Sequence, residues 1–236
     1  MIQKQSPPPL SIFTPTERRV IRRLDTPLRV QDFLNKLPYN TEPKPLGETL
    51  RSFRSMLRHG TAHCLEAALS AAVILEQHGF PPLLISFESI CKLDHVIFVY
   101  QRRGRWGSIA RSRDPGLHGR KPVFKTARAL ALSYCDPYID HEGCVKAFAV
   151  VDLNHELPNY DWRRSDTNMW KVEKMLIDYP HNKLPIDWER RKRLKAQYLA
   201  FRKAYPDRKP LKYSGRDAWT PLPPEFTRPG YELDWV

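Results

Sequence analysis

Apolar positions recur at helical spacing early in the chain, alternate through its middle, and return to helical spacing near its end. Thr14-Pro15-Thr16-Glu17 has the form of a capping box and predicts a helix running to about Leu24. "TPLRVQDFLNKLPYN" repeats the Thr-Pro start and predicts a second short helix closing near Pro38. Leu46, Leu50, Phe53 and Leu57 fall at helical spacing, so a third helix is expected over 46–57. The stretch "GTAHCLEAALSAAVILEQHGFPP" then places Ala67, Ala68, Ala71 and Ala72 beside Leu65, Leu69, Val73, Ile74 and Leu75. Such a helix is narrow and apolar around much of its circumference, which predicts a central helix with other elements packed closely against it. Thr61 is its expected N-cap, and Gly79 with Pro81 and Pro82 its stop.

The period then shortens. "LLISFES", "HVIFVY" and "WGSIARS" read as strands, with "QRRGR" as the turn of a hairpin pairing 95–101 with 106–112. Leu130, Tyr134 and Tyr138 predict a helix over 126–138, and "VKAFAVVDL" a further strand. Past Asn154 the chain becomes polar and tryptophan-rich. A last helix is expected over 186–205, with Leu194, Tyr198, Phe201 and Tyr205 on one stripe, followed by an irregular tail. The expected organisation is an N-terminal extension with short helices over 1–45, a core over 46–153, and a C-terminal extension with a basic amphipathic helix over 154–236. The expected class is α+β, a central helix packed on a small antiparallel sheet.

Composition narrows the picture. At 236 residues and 41% hydrophobic content the chain can build one core with attached helices, and its 22 prolines predict short elements with irregular connections. The formal charge of +13 raises the prospect of an acidic partner. The runs "ERRVIRRL", "QRRGRWGSIARSR" and "ERRKRLK" are interleaved with apolar or aromatic residues, as a nucleic-acid face would be. Each also fits a solvated helix or hairpin edge, where long basic side chains lie over apolar surface. No DNA- or RNA-reading motif and no phosphate-cradling glycine loop is present, which argues against nucleotide hydrolysis. No apolar run approaches the roughly 20 residues that span a bilayer, so no membrane partner and a cytoplasmic location are expected.

Four cysteines in a chain this long do not make a disulfide framework. Cys91-x₃-His95 and Cys135-x₅-His141-x₂-Cys144 lack the paired spacing of structural zinc modules, so neither metal nor cofactor is expected. Cys91, Cys135 and Cys144 are assigned to packing. Cys64 is different, because it stands at the start of its helix. Unpaired N–H groups and the positive end of the dipole favour its thiolate there, and a nearby imidazole would complete the activation. Among the eight histidines, His95 opens an apolar strand and follows Asp94. His63 adjoins Cys64, but successive side chains on a helix point about 100° apart, which sets it aside. If Arg103-Gly104 forms the hairpin turn, the register carried onward puts His95 opposite Ser112, with Asp114 its diagonal neighbour. Either could orient the imidazole; a carboxylate is the chemically stronger choice because it stabilises imidazolium.

This order of elements resembles the transglutaminase-like superfamily. The matching segments are "GTAHCLEAALSAAVILEQHGFPPLLISFES" and "DHVIFVYQRRGRWGSIARSRDPG", and the likeness covers residues 46–125. Glu66 fits the acidic residue often found two positions after the family's cysteine, and Trp106 the aromatic opening the third strand. The segment from "SRDPG" onward is similar to bacterial transglutaminase-like proteins without an assigned activity. The resemblance implies a papain/transglutaminase-like core, Cys64 as nucleophile, His95 as base, and Asp114, followed by Pro115, as third member, with Ser112 the alternative. It also implies a cysteine protease-like hydrolase or acyltransferase acting on an amide, isopeptide or ester carbonyl of a protein or peptide. The other readings are a non-catalytic module whose basic faces bind nucleic acid or an acidic protein, and a degenerate enzyme lacking its third member.

Overall fold

Each Thr-Pro pair near the start of the chain begins a helix. In the computed structural model, which describes residues 6–42, 47–91, 94–112, 115–135, 137–138, 143–204 and 206, these are α1 (Pro15–Arg23) and α2 (Pro27–Lys36). The capping box of α1 forms in full: the Thr14 hydroxyl accepts the Glu17 N–H at 3.3 Å and Glu17 Oε2 accepts the Thr14 N–H at 2.7 Å. Glu17 also receives the Arg54 guanidinium at 2.7 Å, which ties α1 to α3 (Phe53–His59).

The third helix is shorter than its apolar spacing predicts. It starts at Phe53 under a Ser52 cap, not near residue 46. Leu50 is buried without being helical because its backbone pairs elsewhere: its N–H goes to Asn168 Oδ1 at 3.0 Å and its carbonyl receives the Met169 N–H at 2.7 Å. A segment whose backbone groups are taken by a distant strand of chain has none left for an intrahelical ladder.

The alanine-rich helix is α4 (Cys64–Glu76), and every residue after Cys64 is buried. Its cap is His63, two residues later than the expected Thr61. At its far end Glu76 is paired with Arg163 at 2.8 Å, holding the chain that follows the sheet.

One antiparallel sheet carries six strands: β1 (Leu83–Ser89), β2 (His95–Arg102), β3 (Arg105–Ile109), β4 (Arg120–Phe124), β5 (Val145–Asp152) and β6 (Asn182–Lys183), in the order β4-β3-β2-β1-β5-β6. Alternation divides its side chains. Leu84, Val96, Phe98, Tyr100, Ala149 and Val151 pack with α4 in the main core; Leu83, Ile85, Phe87, Ile97 and Val99 form a second core with Leu130 and Ala131 of α5 (Ala127–Leu132). The sheet is therefore a middle layer, and the chain is α+β.

The hairpin turn is Arg103-Gly104, both at positive φ (50° and 71°), as a two-residue type I′ turn requires. Pairing runs from Arg102↔Arg105 to Phe98↔Ile109, the register expected. The ladder stops there, so it does not carry through to a His95–Ser112 pair. β4 and β6 were not legible in the sequence. β4 contains Pro122, which only an edge strand tolerates, and β4 is the edge.

α5 ends at Leu132, short of Tyr138, because the next three residues turn tightly: the N–H groups of Ser133, Tyr134 and Cys135 go to carbonyls three residues back. Four-residue α6 (Leu153–Glu156) follows β5, and α7 (Trp170–Asp178) lies in the polar, tryptophan-rich stretch where no helix was expected. The last helix, α8 (Trp188–Ala204), falls where expected; its Leu194 packs on Cys144. The irregular tail expected after it lies outside the described residues. Among the described residues no helix is long and apolar enough to cross a membrane.

Candidate active site

Cys64 is the first residue of α4, so its backbone N–H is one of the orphan donors at the helix start and its sulfur sits at the positive end of the dipole. It is half-buried and lines a cleft of about 290 Å³. Leu50, Leu65, Val96, Leu176 and Ile177 give the cleft apolar surface, and Glu42, Glu48, Asp94 and Glu173 give it negative charge. Burial opposes a thiolate at Cys64. Hydrogen bonding from His63 and His95, and their positive charge, overcome that opposition and hold the thiol well below its ordinary range.

Both His95 and His63 thus hydrogen-bond the Cys64 sulfur. His95 is 3% exposed and opens β2. Its ring lies parallel to Phe87, with centroids 6.2 Å apart, and against Tyr134 and Tyr138. The partner of Nε2 is the Leu117 carbonyl, at 3.1 Å. A carbonyl can only accept, so Nε2 carries a hydrogen and Nδ1 is the nitrogen left to exchange a proton with the thiol.

Of the two candidates for the orienting role, Asp114 lies outside the described residues. Ser112 is buried, and its carbonyl, 3.1 Å from His118 Nε2 and 3.0 Å from Arg111 Nη1, helps shape the loop behind His95. That loop is organised by Arg120. Its buried guanidinium donates to the carbonyls of His118 (2.6 Å), Gly119 (3.0 Å) and Gly116 (2.6 Å) and stacks on the Tyr134 ring at 4.1 Å. These bonds bracket Leu117 on both sides. His118 is buried so completely that its pKa falls to about 4, despite its bond to the Ser112 carbonyl; the nearby Arg111, Arg120 and His95 add to the fall.

His63 was set aside on the geometry of adjacent helical residues, but it is not helical. As N-cap it has an extended backbone (φ −97°, ψ −173°), which turns its ring back over the helix start. Nδ1 accepts the Leu65 N–H at 3.2 Å, and Nε2 donates to the Thr49 carbonyl at 2.6 Å. Burial works against charge on this ring. The sulfur of Cys64, the Glu66 carboxylate and the Thr49 carbonyl outweigh it and raise the pKa to about 9. Glu66 is fully buried and accepts from the His63 N–H (3.1 Å), the Arg51 N–H (3.1 Å), Thr49 Oγ1 (3.0 Å) and Asn40 Nδ2 (3.1 Å). One carboxylate therefore fixes the cap and the segment whose carbonyl holds the His63 ring. The spacing His63-x-x-Glu66 is that of a capping box, the signal by which His63 could have been found.

Among the described residues no three His, Cys, Asp or Glu side chains converge as a metal site. No family model and no curated protein matches this chain.

Proposed function

We propose that this protein is a thiol-dependent acyl hydrolase or acyltransferase of the transglutaminase-like kind, acting on an amide, isopeptide or ester carbonyl of a protein or peptide. One observation carries the reading: a cysteine at a helix start, flanked by two imidazoles, opens on a cleft with apolar surface. Cys64 gives its proton to His95 Nδ1 and attacks the carbonyl carbon. The backbone N–H of Cys64, unpaired by the helix, is placed to bind the oxygen that becomes negative. His95 is oriented through Nε2 by the Leu117 carbonyl. The helix on antiparallel sheet, the cysteine at its start and the histidine opening a strand all support a papain/transglutaminase-like core.

The test is labelling by iodoacetamide at neutral pH, with mass spectrometry locating the adduct. Cys64 is expected to react well ahead of Cys91, Cys135 and Cys144, and His95→Ala is expected to remove that advantage. Reaction of Cys64 no faster than free cysteine would refute the reading.

A further inference from the structure

The two imidazoles beside Cys64 are not equivalent. His63 and Cys64 both line the cleft, whereas His95 is not among its lining residues and is 3% exposed, packed against Phe87, Tyr134 and Tyr138. A group that receives the thiol proton can sit there, but a leaving group departs into the cleft. Resting on the acyl-transfer reading above, we propose that His63 is a second catalytic residue, the general acid that protonates the leaving group from Nδ1.

The hydrogen bonds around the ring suit that exchange. Nε2 keeps its hydrogen on the Thr49 carbonyl throughout, so Nδ1 is the nitrogen that changes state. With a proton, the ring hydrogen-bonds the Cys64 sulfur and is favoured by Glu66 Oε1 at 3.6 Å and Glu42 Oε1 at 3.8 Å from Nε2. Without one, its lone pair takes the Leu65 N–H, and the helix start satisfies the nitrogen that has just given up its hydrogen.

The steps balance. Cys64 passes its proton to His95 Nδ1, and the sulfur forms a bond to the acyl carbon. As the bond to the leaving nitrogen or oxygen breaks, that atom keeps the electron pair and takes the His63 Nδ1 proton. In the second half, neutral His63 removes a proton from water, whose oxygen attacks the thioester. The C–S bond breaks, its pair returns to sulfur and takes back the proton held by His95 Nδ1, and His63 is again protonated. The acyl group has gained hydroxyl and the leaving group hydrogen.

The experiment uses acetate esters of phenols graded in acidity, with the full chain. Asn and Ser are strong N-caps, so His63→Asn and His63→Ser keep the helix start while removing the transferable proton. Wild-type acylation is expected to vary little along the series, because a general acid spares the leaving group from departing as an anion. In both variants the ratio between the best and poorest leaving groups should widen by about 100-fold. A merely structural role would slow every ester alike, so an unchanged ratio overturns the proposal. The unaltered protein supplies a second reading: its ratio should widen as pH is raised through about 9, where His63 loses its proton. A constant ratio across that range also overturns it. If no ester is turned over in a Cys64-dependent way, the acyl-transfer reading falls and takes this one with it.

Discussion

His95 Nε2 lies 3.1 Å from the carbonyl oxygen of Leu117, so the imidazole is oriented by main chain. A carbonyl has no charge to offer an imidazolium, but its position is as exact as the loop that carries it. Here the loop is fastened by Arg120 and the buried ring of His118.

Replacing Arg120 is therefore expected to reach His95 without touching it. Arg120→Met fills a similar volume and takes a donor from four carbonyls, of which that of His118 keeps the Tyr134 hydroxyl, a loss of about 3 kcal/mol by the usual cost of unsatisfied buried groups. Urea denaturation checks the stability. Cys64 alkylation should slow in the folded variant as well, because a misplaced Leu117 carbonyl misplaces the base.

Gly119 is expected to tolerate no side chain. A Cβ there would lie 2.4 Å from the Ser108 carbonyl oxygen and 2.6 Å from Gln31 Oε1. Gly119→Ala must push two backbone segments apart and should cost about 1–3 kcal/mol, measurable as a lowered urea midpoint.

Glu66 holds the cap rather than the chemistry. Glu66→Ala should destabilise the protein by about 3–5 kcal/mol, because four donors lose one buried acceptor and Arg51 loses its counter-charge. Chemical denaturation gives the loss directly. A variant of unchanged stability would mean that water replaces the carboxylate.

Cys64 should remain reactive where ordinary thiols are protonated. Its alkylation rate is expected to hold near its plateau from about pH 9 down through neutrality, where a free thiol loses rate steeply. His63→Asn should move the inflection upward, toward the ordinary thiol range. Stopped-flow alkylation across pH reads both.

His118 makes a contribution of its own to acid sensitivity. It is neutral in the folded protein until about pH 4, while the unfolded chain takes up a proton near 6.5. Between those values the unfolded state binds more protons, so stability is full above the higher pH and falls as pH drops toward the lower. The loss amounts to about 3 kcal/mol and levels off once both states are protonated. His118→Gln, which can still donate to the Ser112 carbonyl, should remove this part of the pH dependence in urea titrations.

What the sequence revealed, and what it hid, divides along physical lines. Caps and turns set by one residue type were legible: the Thr14 box, the Arg103-Gly104 turn, and strand β1 to its ends. So were Cys64 at its helix start and His95 at its strand start. Leu50 misled, since apolar spacing cannot show that a backbone is claimed by Asn168 and Met169. The Leu117 carbonyl carries no side-chain signature at all, so no pattern of residue types could reveal it. His63 was lost to a cap assigned two residues early; moving the helix start from Thr61 to His63 turns a diverging neighbour into a partner.

Because α4 is enclosed on every side beyond Cys64, its amide hydrogens have no route to solvent by fraying. They should trade for deuterium only when the molecule opens as a whole, and so report its global free energy of unfolding. The sulfur is thus mounted on the part of the chain that yields last.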